Sequence, residues 1–194
     1  MDEVSSMKYG YAVLGIGFFI IIGALVYLTP SKTETMMQLT SPAFTDGQPI
    51  PTLYTCDGSR TLSPELGISG VPDGATSLVL IVHDPDVPKV LRPDGVFDHW
   101  VMYGIDPKTT VIPEGGTPGA QGENGRGEAT YTGPCPPPEY EPTMHRYIFT
   151  LYATNLGTLN FIKAPTKADL LAAIEGHVLE TAVLTGTYDR KKQP

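Results

Sequence analysis

The chain has only two cysteines, Cys56 and Cys135, which lie 79 positions apart and outside any CxxC spacing. That excludes a zinc ribbon and a thioredoxin-like redox motif and leaves room for one disulfide. Basic residues are also scarce: 13 Lys and Arg stand against 21 Asp and Glu, for a formal net charge of -8. Apart from Arg190, Lys191 and Lys192 they are scattered, so no cationic stripe exists to follow a phosphate backbone, and nucleic acid is not an expected partner. The chain contains no HExxH, no GxSxG nucleophile elbow and no Walker loop, so the common hydrolase and phosphoryl-transfer signatures are missing. No internal repeat is present.

One stretch lacks charge altogether. Residues 9–31 carry no Asp, Glu, Lys or Arg, and residues 9–28 (YGYAVLGIGFFIIIGALVYL) match the ~20 apolar residues that cross a bilayer core as a helix. The expectation is a single N-terminal transmembrane anchor at 9–28, after a flank at 1–8. A cleaved signal peptide fits less well, because its apolar part is usually only ~7–15 residues and no A-x-A-like site follows Leu28. Lys8 and Lys32 balance each other across the span, so charge does not orient it. The cysteine pair favours placing the domain outside, where disulfides persist. Residues 29–38 form a polar tether, whose reach at ~3.3–3.6 Å per residue keeps the following domain within tens of ångströms of the membrane.

Glycine (21) and proline (19) recur as punctuation between short apolar runs, which points to a mainly β domain over residues 39–190 with a basic tail at 191–194. Residues 77–82 (SLVLIV) read as a buried strand ended by Asp84-Pro85-Asp86, and residues 99–105 as the next strand. In the latter, alternation puts Trp100, Met102 and Gly104 on one side and Val101, Tyr103 and Ile105 on the other. Residues 113–130 are Gly-rich and polar, as expected of a long exposed loop. Thr166 with Asp169 resembles a capping box ahead of a short helix that stops at Gly176, and residues 182–188 read as a final strand.

The stretch at 131–152 joins a proline-locked loop to a core-strand pattern of alternating aromatic and β-branched residues. Pro134, Pro136, Pro137 and Pro138 each fix φ and lack an N–H, so this loop stands as a shaped wall. His145 and Arg146 follow where a strand enters the core, a titratable group and a fixed cation well situated to hold an anion. Asp84, Asp86 and His99 also lie at strand ends beside loops, where function is usually built. Singly, each has a structural explanation: Asp-Pro-Asp makes a good turn, and a histidine beside a tryptophan is often a core residue. His83 and His177 are expected to have no site role.

Taken together, CDG with SPEL (56–58, 63–66), SGVPDGATSLVLIVHDPDVP (69–88), FDHWVMYGI (97–105), TGPCPP (132–137), HRYIFTLYA (145–153) and GHVLETAVLTGTY (176–188) resemble the phosphatidylethanolamine-binding protein family, in its prokaryotic Raf-kinase-inhibitor-like branch. The resemblance implies an antiparallel β-sandwich with one or two short helices and a small anion pocket for a phosphate-like headgroup. Carried over by position, the pocket is formed by Asp84, Asp86, His99, Gly133, Pro134, His145 and Tyr147. Ile68 stands where prokaryotic members commonly have tryptophan, and Asp98 adds a carboxylate that weakens anion binding if it faces the cavity. Two histidines are expected to donate to a phosphate, with the aspartates orienting the rings or receiving a ligand amine.

Two other readings compete. In one, Asp84, His99, His145 and Cys135 form a metal site or Cys135 a nucleophile, making the protein an enzyme. In the other, the proline wall or Gly-rich loop inhibits a partner kinase or protease. The expectation drawn is a membrane-anchored, non-catalytic binding module without cofactor or metal, its domain extracytoplasmic, its ligand a phosphate-containing small molecule or lipid headgroup, with a protein target as a further partner.

Overall fold

A computed structural model describes residues 36–190. The expected flank, the anchor at 9–28, most of the tether and the basic tail lie outside the described residues. Among the described residues no helix is long and apolar enough to cross a membrane.

The described chain is mainly β. Strands β1 (Gln38–Thr40), β2 (Leu66–Ser69) and β5 (Val111–Ile112) form a small antiparallel sheet in the order β1-β2-β5. Strands β3 (Ser77–Asp84), β4 (Phe97–Ile105), β6 (Ala120–Gln121), β7 (Met144–Thr154) and β8 (Val178–Asp189) form a larger one in the order β6-β4-β3-β7-β8. Its neighbouring strands all pair antiparallel. Met37 is already buried and β1 starts at Gln38, so the fold begins slightly ahead of the expected Leu39.

The two faces of the large sheet explain the continuous apolar run in β3. Leu78, Leu80 and Val82 pack with Phe149, Leu151 and Leu184 against Leu39, Leu66, Ile68 and Ile112 of the small sheet, forming the core between the layers. Val79, Ile81 and Val101 face the other way and are covered by Leu170 and Ile174 of helix α1 (Lys167–Ile174). A strand buried on both faces has no polar side to alternate with. Helix α1 starts where Thr166 accepts from the Asp169 N–H while the Asp169 carboxylate accepts from the Thr166 N–H, the reciprocal box that satisfies two orphan donors. The only other helical element among the described residues is one 3-10 turn, Thr52–Tyr54.

Strand β4 departs from simple alternation twice. Leu78 pairs with Ile105 but Leu80 with Met102, and Val82 pairs with Trp100 but His83 with Asp98, so β4 carries one extra residue at each place. Gly104, at φ 67°, supplies the first bulge, and Ile105 joins Met102 in the inter-sheet core rather than following Val101 and Tyr103. The second bulge leaves His99 without a Cα partner on β3, and so frees its direction.

The loop at 113–130 is exposed over most of its length, as expected, and is also held in place. It contains β6, and buried Asn124 accepts through Oδ1 from the N–H groups of Arg126 (2.8 Å) and Glu128 (3.1 Å) while its amide donates to the Thr130 carbonyl (3.0 Å). One polar side chain thus organises seven residues of glycine-rich chain.

Cys56 and Cys135 are joined with their Cα atoms 5.4 Å apart, closing a loop of 79 residues. Closing a loop of that size stabilises by about 4 kcal/mol, mainly by restricting the unfolded chain. Reductant is therefore expected to lower the unfolding free energy by that amount. Urea unfolding followed by the single tryptophan, the buried Trp100, checks it, and a Cys56→Ala/Cys135→Ala protein should show no response to reductant.

Candidate functional site

A cavity of about 330 Å³ opens at one end of the large sheet, within the size range of small-ligand sites. Asp84 at the end of β3, His145 at the start of β7 and His99 at the β4 bulge meet there, all buried. His145 and Tyr147 share the inward face of β7, while Met144 and Arg146 face out, the ordinary two-residue period of a strand.

The carboxylate of Asp84 is fully used. Its Oδ1 accepts from the Asp86 N–H (2.8 Å), shaping the Asp-Pro-Asp turn, and its Oδ2 accepts from His145 Nδ1 (2.7 Å). Burial pulls the His145 pKa down, but the hydrogen bond and charge of Asp84, aided by Asp86 and the Pro142 carbonyl, more than offset it, so the net shift is upward. His145 Nε2 is buried and hydrogen-bonded to nothing among the described residues. In the imidazolium form, which the upward shift favours relative to a free histidine, that atom is a donor without an acceptor.

His99 is tuned the opposite way. Its Nδ1 donates to the Thr132 carbonyl at 2.5 Å, and the Thr132 N–H donates back to the His99 carbonyl at 2.9 Å. Burial pushes its pKa down to about 4, against the raising effects of the Thr132 carbonyl, Asp84 and Asp98. The ring is neutral at physiological pH, and with Nδ1 carrying the proton its Nε2 is an acceptor. The expectation of two donating histidines is corrected at His99, whose free nitrogen accepts, while His145 donates from Nε2 when protonated. The His99 ring packs between Phe97 (centroids 4.8 Å apart) and Tyr147 (5.1 Å, edge-on).

The other expected residues divide. Gly133 lines the cavity, and a Cβ there would collide with the Tyr54 carbonyl. Pro134 is buried behind the wall, its carbonyl accepting from the Cys56 N–H at 3.0 Å, while Pro136 and Pro137 supply the wall's surface. Tyr147 stands behind His99 with its hydroxyl buried and unpartnered among the described residues. Asp86 does not line the cavity. It takes Arg146 in a two-pronged ion pair (Nε 2.8 Å, Nη2 2.7 Å) and accepts the Arg146 N–H as well (2.9 Å), which holds its carboxyl below the usual range. Arg146 therefore does not join His145 at an anion: adjacent strand residues face opposite ways. Asp98 turns to Lys167 Nζ (2.6 Å) on the helix side and does not enter the cavity. His83 and His177 do not line it either, the latter pairing with Asn155 at 3.0 Å.

Sequence reasoning missed the cations. Arg60, Arg92 and Arg126 line the cavity. Arg60 Nη2 lies 3.3 Å from Cys135 Sγ, Arg92 stacks over Phe97 at 5.3 Å and donates to the Gly125 carbonyl at 3.2 Å, and Arg126 approaches Glu128 at 3.4 Å. They come from three separate loops, and no local spacing marks them. Among the described residues no group of three or more His, Cys, Asp and Glu is arranged to hold a metal ion, and the Cys135 sulfur is engaged with Cys56.

The phosphatidylethanolamine-binding protein family profile matches residues 40–189. The chain belongs to that family. A UPF0098 protein of Chlamydia trachomatis is 46% identical over 155 residues, covering 79% of this chain and 99% of that protein. Among solved structures, a phosphatidylethanolamine-binding protein homologue of C. trachomatis matches with a TM-score of 0.74 and 46% identity over 80% of this chain and 98% of its own. E. coli YbcL, described as a member of the mammalian PEBP family, matches with a TM-score of 0.70 and 27% identity over 80% of this chain and 99% of its own. The matched region is nearly the whole of the chlamydial protein.

His99 makes stability depend on pH. With a folded pKa near 4 and an unfolded value of ~6.5, the unfolded chain takes up a proton first, so stability is full above ~6.5 and is lost as pH falls toward 4. Between pH 7 and 4.5 the wild-type protein should lose about 2 kcal/mol more than His99→Gln. Urea unfolding at the two pH values measures this, and equal losses would contradict the assignment.

Proposed function

We propose that this chain is a non-catalytic binding module whose cavity holds a phosphate-bearing ligand, either a free phosphomonoester or a phospholipid headgroup. The observation that carries the reading is the buried, unpartnered Nε2 of His145, whose other nitrogen is fixed on Asp84, in a cavity lined by three arginines. A buried donor without a partner costs about 1–3 kcal/mol, and more when charged, so a ligand acceptor there recovers that cost. His99 Nε2 accepts in turn, from the hydroxyl of a singly protonated phosphate or from a ligand ammonium. Asp84, engaged at both oxygens, adds little repulsion. Family membership supports a ligand-binding role in general.

Anchoring through residues 9–28, with the domain on the extracytoplasmic side, is part of the same proposal. It is supported by the uncharged stretch and by the cysteine pair. A role as an inhibitor of a protein partner is a separate function for the outer loops, and no contact in the described residues favours it over the cavity.

The test is calorimetric titration of residues 36–194 with inorganic phosphate and phosphoethanolamine across pH 5.5 to 8. Because the His145 pKa is raised and the protonated ring donates, affinity should rise as pH falls through its titration. His145→Gln should lower affinity by about tenfold, and Asp84→Asn, which removes the charge holding the ring protonated, should move the pH dependence downward. No saturable heat with either ligand at millimolar concentration would sink the reading.

A further inference from the structure

The loop between β3 and β4 carries Lys89-Val90-Leu91-Arg92 at its tip. Val90 is 75% exposed and Leu91 48% exposed. These apolar side chains are not on a floppy segment. Leu91 and Arg92 both donate backbone N–H groups to the Pro88 carbonyl (2.8 and 3.1 Å), Gly95 donates to Arg92 (2.9 Å), and Val87 donates to Gly95 (3.2 Å), so two successive turns are closed at their base. Pro88 and Pro93 bracket the tip and fix φ on either side. The fold holds two apolar side chains out in water between two cations. The same loop borders the cavity, since Leu91 and Arg92 belong to its lining.

We propose that this tip is a membrane-docking element: Val90 and Leu91 enter the interfacial layer of an anionic bilayer while Lys89 and Arg92 meet its phosphates, bringing the cavity mouth to the lipid surface. The composition of the tip and its surroundings select a bilayer as the occupant. An apolar pair flanked by cations has the amphipathic composition of interfacial anchors. The adjoining cavity is lined by Arg60, Arg92 and Arg126, of which Arg92 and Arg126 have Asp94 and Glu128 beside them while Arg60 approaches only the Cys135 sulfur. Asp94 approaches Arg92 Nε only at 3.8 Å and the Gly125 carbonyl takes Nη1, which leaves Nη2 for a lipid phosphate. The tether expected at 29–38 also keeps the domain within reach of a membrane. This inference deepens the reading of the cavity by giving it lipid as the source of its phosphate, but the tip's attachment is measured separately from the cavity's.

The experiment is co-sedimentation of residues 36–194 with vesicles of equal parts phosphatidylglycerol and phosphatidylcholine, and with vesicles of phosphatidylcholine alone. The wild-type domain is expected to bind the anionic vesicles, less so at high salt, and to bind the neutral ones weakly. Val90→Glu and Lys89→Glu should each reduce the partition by about tenfold while leaving the titration with inorganic phosphate unchanged, since neither side chain lines the cavity. His145→Gln should retain vesicle binding through the tip. Absence of wild-type binding to anionic vesicles, or undiminished binding by Val90→Glu, would overturn the proposal and leave the pair to a protein partner. If phosphate fails to bind in solution while vesicle binding still depends on Val90, the docking stands and the cavity reading falls.

Discussion

The hydrogen bond from His145 Nδ1 to Asp84 Oδ2, 2.7 Å long and buried, is the interaction on which the site depends. It ties the last residue of β3 to the opening of β7. It fixes which nitrogen of the ring faces the carboxylate and raises the ring's pKa against the pull of burial. It also occupies the carboxylate oxygen that would otherwise oppose an incoming anion. A buried charge pair of this kind is weak evidence of added stability, because desolvation offsets the attraction. What it supplies is direction, a donor held in place before any ligand arrives.

Around that bond the fold works by placing neighbouring residues on different faces. Arg146 follows His145 and Asp98 precedes His99, yet each turns outward, to Asp86 and to Lys167. Both faces of β3 are covered by apolar layers, so the sheet end can be polar without exposing the core. The wall opposite is rigid for covalent and steric reasons: successive prolines, the join to Cys56, and Gly133 pressed against the Tyr54 carbonyl. The result is a site with two histidines whose pKa values are shifted in opposite directions, two rings of the same residue type in different surroundings.

Much of this was legible in the sequence, and the exceptions have physical causes. The run at 77–82 is readable because both faces of β3 are buried, and Thr166 with Asp169 because capping is local chemistry. The motifs at 84–88, 97–105, 132–137 and 145–153 identified the family, whose profile spans residues 40–189. The direction of Ile105 and the freedom of His99 were not readable, since a bulge adds one residue to β4 that periodicity cannot show. Arg60, Arg92 and Arg126 escaped because distant loops bring them together. The loop at 113–130 is exposed over most of its length, as glycine and polarity indicate, but that the buried Asn124 side chain organises it from within was not readable. The opposite pKa shifts of the two histidines follow from burial and partners, which composition does not contain.

The central claim, that His145 Nε2 is the donor to a phosphate, is tested most directly by NMR of the 15N-labelled domain with phosphate added, looking for a through-hydrogen-bond coupling between phosphorus and the imidazole proton. The account predicts a coupling to His145 Nε2–H, with His99 remaining the neutral tautomer protonated at Nδ1. A coupling to His99 instead, or a saturated complex in which His145 Nε2 carries no proton, would contradict it.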